Sequence, residues 1–139
     1  MQLFNVYHGG TLIYDIPSVT KISGHAKIQG IDQRHEILIE EKTLLNEITG
    51  CVKGAVNSSH HQCVETLGAE LTVAARAEEP IIEAIQWKNT NENPFYLGVQ
   101  VRLNISLFQF LLLIYFFSGI QNEWLIKQVH FHLIFVKHF

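Results

Sequence analysis

Leu71-Thr-Val-Ala-Ala-Arg-Ala-Glu-Glu-Pro-Ile-Ile-Glu-Ala-Ile-Gln-Trp87 is the stretch on which the fold turns. Leu71, Val73 and Ala75 alternate with Thr72, Ala74 and Arg76, the period of two that sets one face of a strand against a core. Glu78-Glu79-Pro80 supplies a turn. Ile82, Ala84 and Gln86 then alternate with Glu83, Ile85 and Trp87. Two such runs across a short turn predict a β-hairpin.

On the C-terminal side, Asn89 to Asn93 reads as a polar loop, and Phe95-Tyr-Leu-Gly-Val99 as a strand buried on both faces. On the N-terminal side, Ala55-Val56 ends a strand that delivers the chain into Asn57-Ser-Ser-His-His-Gln62. A short helix is expected from Gln62 to Leu67, closed at Gly68. Further upstream, His35 to Glu40 is strand-like, Thr43 to Ile48 is one helical turn, and Ser18 to Asp32 is an irregular surface loop. Gln2 to Tyr7 reads as helix ended by Gly9-Gly10, since glycine enters the left-handed region without a Cβ clash. Thr11 to Ile16 forms a second segment, stopped at Pro17. Short helices followed by several strands and a hairpin predict an α/β fold.

Composition bounds the rest. The 139 residues are 47% apolar and 17% charged, which excludes wholesale disorder. Ten basic against thirteen acidic residues give −3, without the basic excess expected of a nucleic-acid binder. Two cysteines make no disulfide framework and no secretory leader opens the sequence, so a cytoplasmic location is expected. The two ends do not match. Residues 1–100 carry seven basic and twelve acidic groups and eight of the nine glycines, whereas residues 101–139 carry three basic groups, one acidic group and seven of the nine phenylalanines. We therefore divide the chain into a globular part, 1–100, and a divergent apolar tail, 101–139. The uncharged run 103–122 would span roughly 30 Å as a helix, so membrane association through it is the alternative location. An out-of-frame origin fits the tail as well.

The densest polar site is Asn57-Ser-Ser-His-His-Gln62, directly after a strand. Such positions line ligand crevices in open α/β sheets. The same residues would equally form a helix N-terminus capped by Ser58 or Ser59, with solvated imidazoles. Ser58 with His60 or His61 lacks the Gly-x-Ser-x-Gly elbow of a serine nucleophile. Cys51 and Cys63 read as structural thiols. His130, His132 and His138 lack an acidic or cysteine ligand nearby, so no metal site is expected.

Gln2-Leu-Phe-Asn-Val-Tyr-His-Gly-Gly-Thr-Leu-Ile-Tyr-Asp-Ile16 resembles the segment after the nucleophile in class I glutamine amidotransferase-like hydrolases, specifically their gamma-glutamyl-gamma-aminobutyrate hydrolase branch (peptidase family C26). Val56-Asn-Ser-Ser-His-His-Gln62 resembles that branch's second hallmark, and Ala74-Ala-Arg-Ala77, Ile82-Glu-Ala84 and Pro94-Phe-Tyr-Leu-Gly-Val-Gln100 follow in the family's order. The likeness covers residues 1–100. It implies part of a flavodoxin-like three-layer α/β sandwich, no cofactor, and acyl transfer to water by a Cys-His-Glu triad acting on a gamma-glutamyl amide.

The resemblance also says where the triad would fall. The nucleophile belongs to a Gly-x-Cys-Arg-Gly-x-Gln stretch whose last residues match Met1-Gln2, so the cysteine is expected about three residues before Met1. The base and its carboxylate belong to Gly-Val-Gln-Trp-His-Pro-Glu, but after Gly98-Val99-Gln100 this chain has Arg102 and Asn104 in the His and Glu places. No catalytic residue can be carried over, and an inactive, truncated chain is expected. The substrate side can be carried over, to Asn57, Ser58, His60 and Gln62. Association with a second chain or a dimer mate that completes the sheet is the partnership this implies.

Overall fold

The computed structural model describes residues 1–77 and 81–100. The expected Glu78-Glu79-Pro80 turn, the tail with its 103–122 run, Arg102, Asn104 and the three tail histidines all lie outside the described residues. The elements run α1 (Gln2–Tyr7), β1 (Leu12–Ile13), α2 (Ile16–Thr20), β2 (Gln33–Ile39), α3 (Leu44–Thr49), β3 (Lys53–Ser58), β4 (Cys63–Val64), β5 (Leu71–Ala77), β6 (Ile82–Trp87) and β7 (Leu97–Val99). The fold is α/β, as expected. The seven strands among the described residues form one sheet in the order β1-β4-β6-β5-β2-β3, with β7 also on β6. Every pairing among the described residues is antiparallel. None of the helices there is long and apolar enough to cross a membrane.

The hairpin that opened the reading is β5 and β6, paired from Leu71 opposite Trp87 to Arg76 opposite Ile82. Its alternation is incomplete, because Ile81 through Gln86 are all buried. The register shifts twice, and the second shift leaves Glu83 between Ala84, opposite Ala75, and Ile82, opposite Arg76. Such irregularities re-aim a side chain. Three packed clusters hold the sheet. Ile37, Ile39, Leu45, Val56 and Ala84 form the first; Val64, Leu71, Val73, Ile82 and Ile85 the second; Ile16, Cys63, Ala77 and Ile81 the third. Each fully buried Leu or Ile contributes roughly 1.5–3 kcal/mol.

Local chemistry sets the short helices. α1 ends where Gly9, at φ +82°, turns the chain and Gly10 N–H donates to the Asn5 carbonyl at 2.9 Å. α3 begins at Thr43, whose hydroxyl accepts from Asn46 N–H at 3.2 Å, and ends at Gly50 with φ +65°. Pro17 does not stop a segment; it opens α2. Asp15 caps that helix by accepting from Ser18 N–H at 3.1 Å, and a proline in the first turn lacks an N–H that had no intrahelical acceptor anyway.

The expected helix from Gln62 to Leu67 is absent. Cys63 and Val64 instead pair with Ile13 and Leu12, and the Glu65 and Thr66 backbone exchanges bonds with Thr11 at 3.0 Å each. Tertiary pairing has overridden a local helical pattern. Ser58 and Ser59 therefore cap no helix. The last run is also less enclosed than its sequence suggests: only Gly98 of β7 is buried, and β7 is antiparallel to β6.

One buried polar knot ties the N-terminus to the middle of the chain. The Asn5 amide, fully buried, donates to the carbonyls of Thr11 at 3.2 Å and Thr66 at 3.0 Å, and its oxygen accepts from Gly68 N–H at 2.9 Å. Gly68 must stay bare, because a Cβ there would meet His8 Cβ at 2.7 Å and the Asn5 carbonyl oxygen at 2.8 Å.

Candidate functional site

β3 ends by presenting Asn57 and Ser58, and strand alternation sends their side chains to opposite faces. Ser58, buried, donates from Oγ to the His25 carbonyl at 2.7 Å. His60 N–H donates to the same carbonyl at 2.9 Å. The loop before β2 and the loop after β3 are thus clasped at His25.

The Gln62 carbonyl is the second clasp. It accepts from Gln100 Nε2 at 2.8 Å and Gln2 Nε2 at 3.1 Å, and His60 Nδ1 lies 3.0 Å from it. Gln2 and Gln100 are far apart in sequence and belong to the two motifs that would flank the nucleophile and the base. The fold brings them to one oxygen beside His60. Of the four residues that the resemblance puts on the substrate side, Ser58, His60 and Gln62 share this neighbourhood, and Asn57 faces away from Ser58.

Beneath the loop lies a set of groups that the sequence reading did not assemble. Glu83, with none of its side chain exposed, has Oε1 3.3 Å from His25 Nδ1, 3.3 Å from His35 Nε2 and 3.5 Å from His60 Nε2. The three imidazoles are themselves 7%, 16% and 12% exposed. None of these contacts has hydrogen-bond geometry, and both carboxylate oxygens lack a hydrogen-bond partner. Burial by itself would raise the Glu83 carboxyl; the nearby imidazoles of His25 and His60, through their ring nitrogens and their charge, outweigh it and hold the group below the usual carboxylate range. Burial, and then the neighbouring His25, push the His35 imidazole down, against the opposing pull of Glu83. The ligand atoms of His25, His60 and Glu83 lie within 4.8 Å of one another.

One signal in the sequence could have found this set: Glu83 is a lone carboxylate inside Ile81-Ile-Glu-Ala-Ile85, where an apolar strand has no other reason to carry one. Neither cysteine belongs to a reactive site. Cys51 is exposed just after α3. Cys63 is fully buried, and desolvation, then the charges of Glu83 and Glu65, push its thiol up to about 11, which keeps it from the thiolate form a nucleophile needs.

Comparison with known proteins bears on the family and the fold. The sequence profile of the peptidase C26 family matches residues 1–102. A glutamine amidotransferase-like protein of Rickettsia prowazekii is 43% identical over 67 residues, covering 48% of this chain and 23% of the relative. A glutamine amidotransferase-like protein of Lactococcus lactis is 31% identical over 102 residues, covering 72% of this chain and 41% of the relative. Among solved structures, a glutamine amidotransferase of Methylobacillus flagellatus superposes with a TM-score of 0.52 at 16% identity, covering 81% of this chain and 39% of that one. A Thermoplasma acidophilum protein described as part of a GMP synthase superposes with a TM-score of 0.57 at 14% identity, covering 88% of this chain and 57% of that one. These low identities speak for the fold alone. The chain spans less than half the length of the curated relatives it matches. By its matched profile and its motifs together, the chain belongs to the peptidase C26 family of glutamine amidotransferase-like proteins.

Proposed function

We propose that this chain forms the substrate-side wall of a gamma-glutamyl hydrolase site, one that takes an amide such as gamma-glutamyl-GABA, with Asn57, Ser58, His60 and Gln62 bordering the cleft. The observation that carries this reading is the meeting of Gln2 and Gln100 on the Gln62 carbonyl. By resemblance those glutamines flank the nucleophile and the base, so the loop they hold sits where the amide bond would be cleaved.

Hydrolysis in this family's manner needs a thiolate to attack the amide carbon and an imidazole to move the proton onto the leaving amine. Arg102 and Asn104 stand in the places of the imidazole and its carboxylate. A guanidinium stays protonated at any physiological pH, and an amide does not titrate, so neither can shuttle that proton. The chain by itself therefore binds without turning over. A cytoplasmic location belongs to the same reading, since both cysteines are free thiols.

The test is a titration of the purified chain with gamma-glutamyl-GABA, followed by backbone NMR and by assay of released glutamate. Shifts confined to Ser58, His60, Gln62 and their neighbours, without glutamate release, are expected. Glutamate release by this polypeptide would overturn the claim of inactivity, and an unperturbed loop would overturn the assignment of the cleft.

A second reading, half of a split enzyme, is favoured by α1, where Leu3 is 75% and Tyr7 83% exposed. Co-expression with a polypeptide ending in Gly-x-Cys-Arg-Gly should then give a complex that co-purifies. Independent elution of the two chains would end that option.

A further inference from the structure

We propose that His25, His60 and Glu83 form a binding site for a divalent first-row transition ion, zinc by preference, which pins the 57–62 loop to β6. The inference does not depend on the gamma-glutamyl reading above.

Geometry is the first argument. Around a tetrahedral zinc with metal–nitrogen and metal–oxygen distances of about 2.0–2.2 Å, neighbouring ligand atoms stand about 3.3–3.6 Å apart. Glu83 Oε1 stands 3.3 Å from His25 Nδ1 and 3.5 Å from His60 Nε2. These spacings are long for charge-assisted hydrogen bonds, which fall at about 2.7–2.9 Å. They match two edges of a coordination tetrahedron, and the third ligand pair, His25 and His60, lies within 4.8 Å. His35 Nε2, 3.3 Å from the same carboxylate oxygen, is the nearest group for a further position.

The proton inventory is the second. His60 Nδ1 faces the Gln62 carbonyl at 3.0 Å, an acceptor that only an N–H can satisfy. That leaves Nε2 towards the Glu83 carboxylate, 3.5 Å away, where a metal ion between them would be coordinated by both. A ligating histidine whose other ring nitrogen donates to a backbone carbonyl is also the usual outer support of a metal site.

Burial is the third. Glu83 is wholly enclosed, and His25 Nδ1, His60 Nε2 and both Glu83 oxygens are buried atoms without hydrogen-bond partners. Orphaned buried polar atoms call for an explanation, and a shared ion satisfies three of them at once, His25 Nδ1, His60 Nε2 and Glu83 Oε1. Two imidazoles and one carboxylate suit zinc or a neighbouring transition metal better than magnesium or calcium, which prefer all-oxygen shells. The ligands come from the loop before β2, the loop after β3 and β6 itself, so the ion would fasten the candidate substrate loop to the centre of the sheet.

The experiment uses the full chain stripped with EDTA, then titrated with zinc chloride and, separately, with cobalt chloride. One zinc per chain, a raised unfolding temperature, and a cobalt visible spectrum of the intense tetrahedral kind are expected. Glu83→Gln and His60→Ala should each weaken zinc binding by more than the about 10–100-fold that outer-shell changes cost. Replacing His130 and His132 should leave it unchanged. Should Glu83→Gln fail to fold, Glu83→Asp keeps the charge, shortens the reach and should bind zinc more weakly with the fold intact. Absence of zinc binding in the parent chain would overturn the proposal, as would binding lost with the tail histidines but kept in the Glu83 variants.

Discussion

Two buried polar knots hold this small sheet, and they are built on opposite terms. At Asn5 every partner is at hydrogen-bond distance: two carbonyls accept from the amide, and one N–H donates to it. At Glu83 a carboxylate and three imidazoles approach one another, and no contact has hydrogen-bond geometry. Both residues are completely enclosed. The difference teaches that burial of polar groups serves two ends here. The Asn5 knot holds the fold together, whereas the Glu83 knot keeps bonding capacity in reserve beside the loop that would meet substrate.

If that contrast is right, the largest loss of stability comes from Asn5→Ala. It strands the buried Gly68 N–H, at about 1–3 kcal/mol, and removes two further bonds to the Thr11 and Thr66 carbonyls, which keep their backbone partners, so urea denaturation should show about 2–4 kcal/mol. A loss under about 1 kcal/mol would break the comparison at its stronger end. Gly68→Ala attacks the same knot sterically, through the close approach to His8 and the Asn5 carbonyl, and should cost about 1–3 kcal/mol in the same assay.

The Cys63 thiol sharpens the other side, because its position near the Glu83 charge contributes to its shift. It sits at about 11 in the fold against 9.0 as the ordinary value, so the unfolded chain gives up that proton first. Its contribution to stability is complete below about pH 9 and is lost as the pH climbs towards about 11. Denaturation midpoints across that window should fall for the parent chain and fall less for Cys63→Ala. At neutral pH a thiol reagent should label Cys51 readily and Cys63 only on unfolding. A smaller effect is expected for Glu83→Gln in EDTA: the fold holds that carboxyl below its usual range, so neutralising it loses some stability, but no well-aligned bond goes with it and the loss should stay below that of Asn5→Ala. A loss as large as that of Asn5→Ala would show that the Glu83 knot, too, is structural.

The hairpin strands β5 and β6, the strand through Ile37 and Ile39, and the helical turn after Thr43 are legible in the sequence because near neighbours along the chain decide each of them. β4 was not legible. Gln62 to Leu67 carries a local helical pattern, and only the approach of Thr11, Leu12 and Ile13 from some fifty residues upstream turns it extended. Pro17 was misread for a related reason: a proline both ends and begins helices, and Asp15 in front of it decides which. The site divides the same way. Ser58, His60 and Gln62 stand together in sequence and could be named. His25, His35 and Glu83 are brought to them by sheet register, which a linear pattern does not encode.

The reach of Asn5 has a consequence for how the molecule is made. Its partners Thr66 and Gly68 are more than sixty positions later. During synthesis α1 leaves the ribosome long before the backbone that will grip it exists. Until residue 68 is out, Leu3 and Tyr7 travel on a helix of only six residues, too short to persist in water. Docking of α1 onto residues 66–68 is therefore a late event in the folding of this segment, and the interval before it is when a chaperone would find the most to hold.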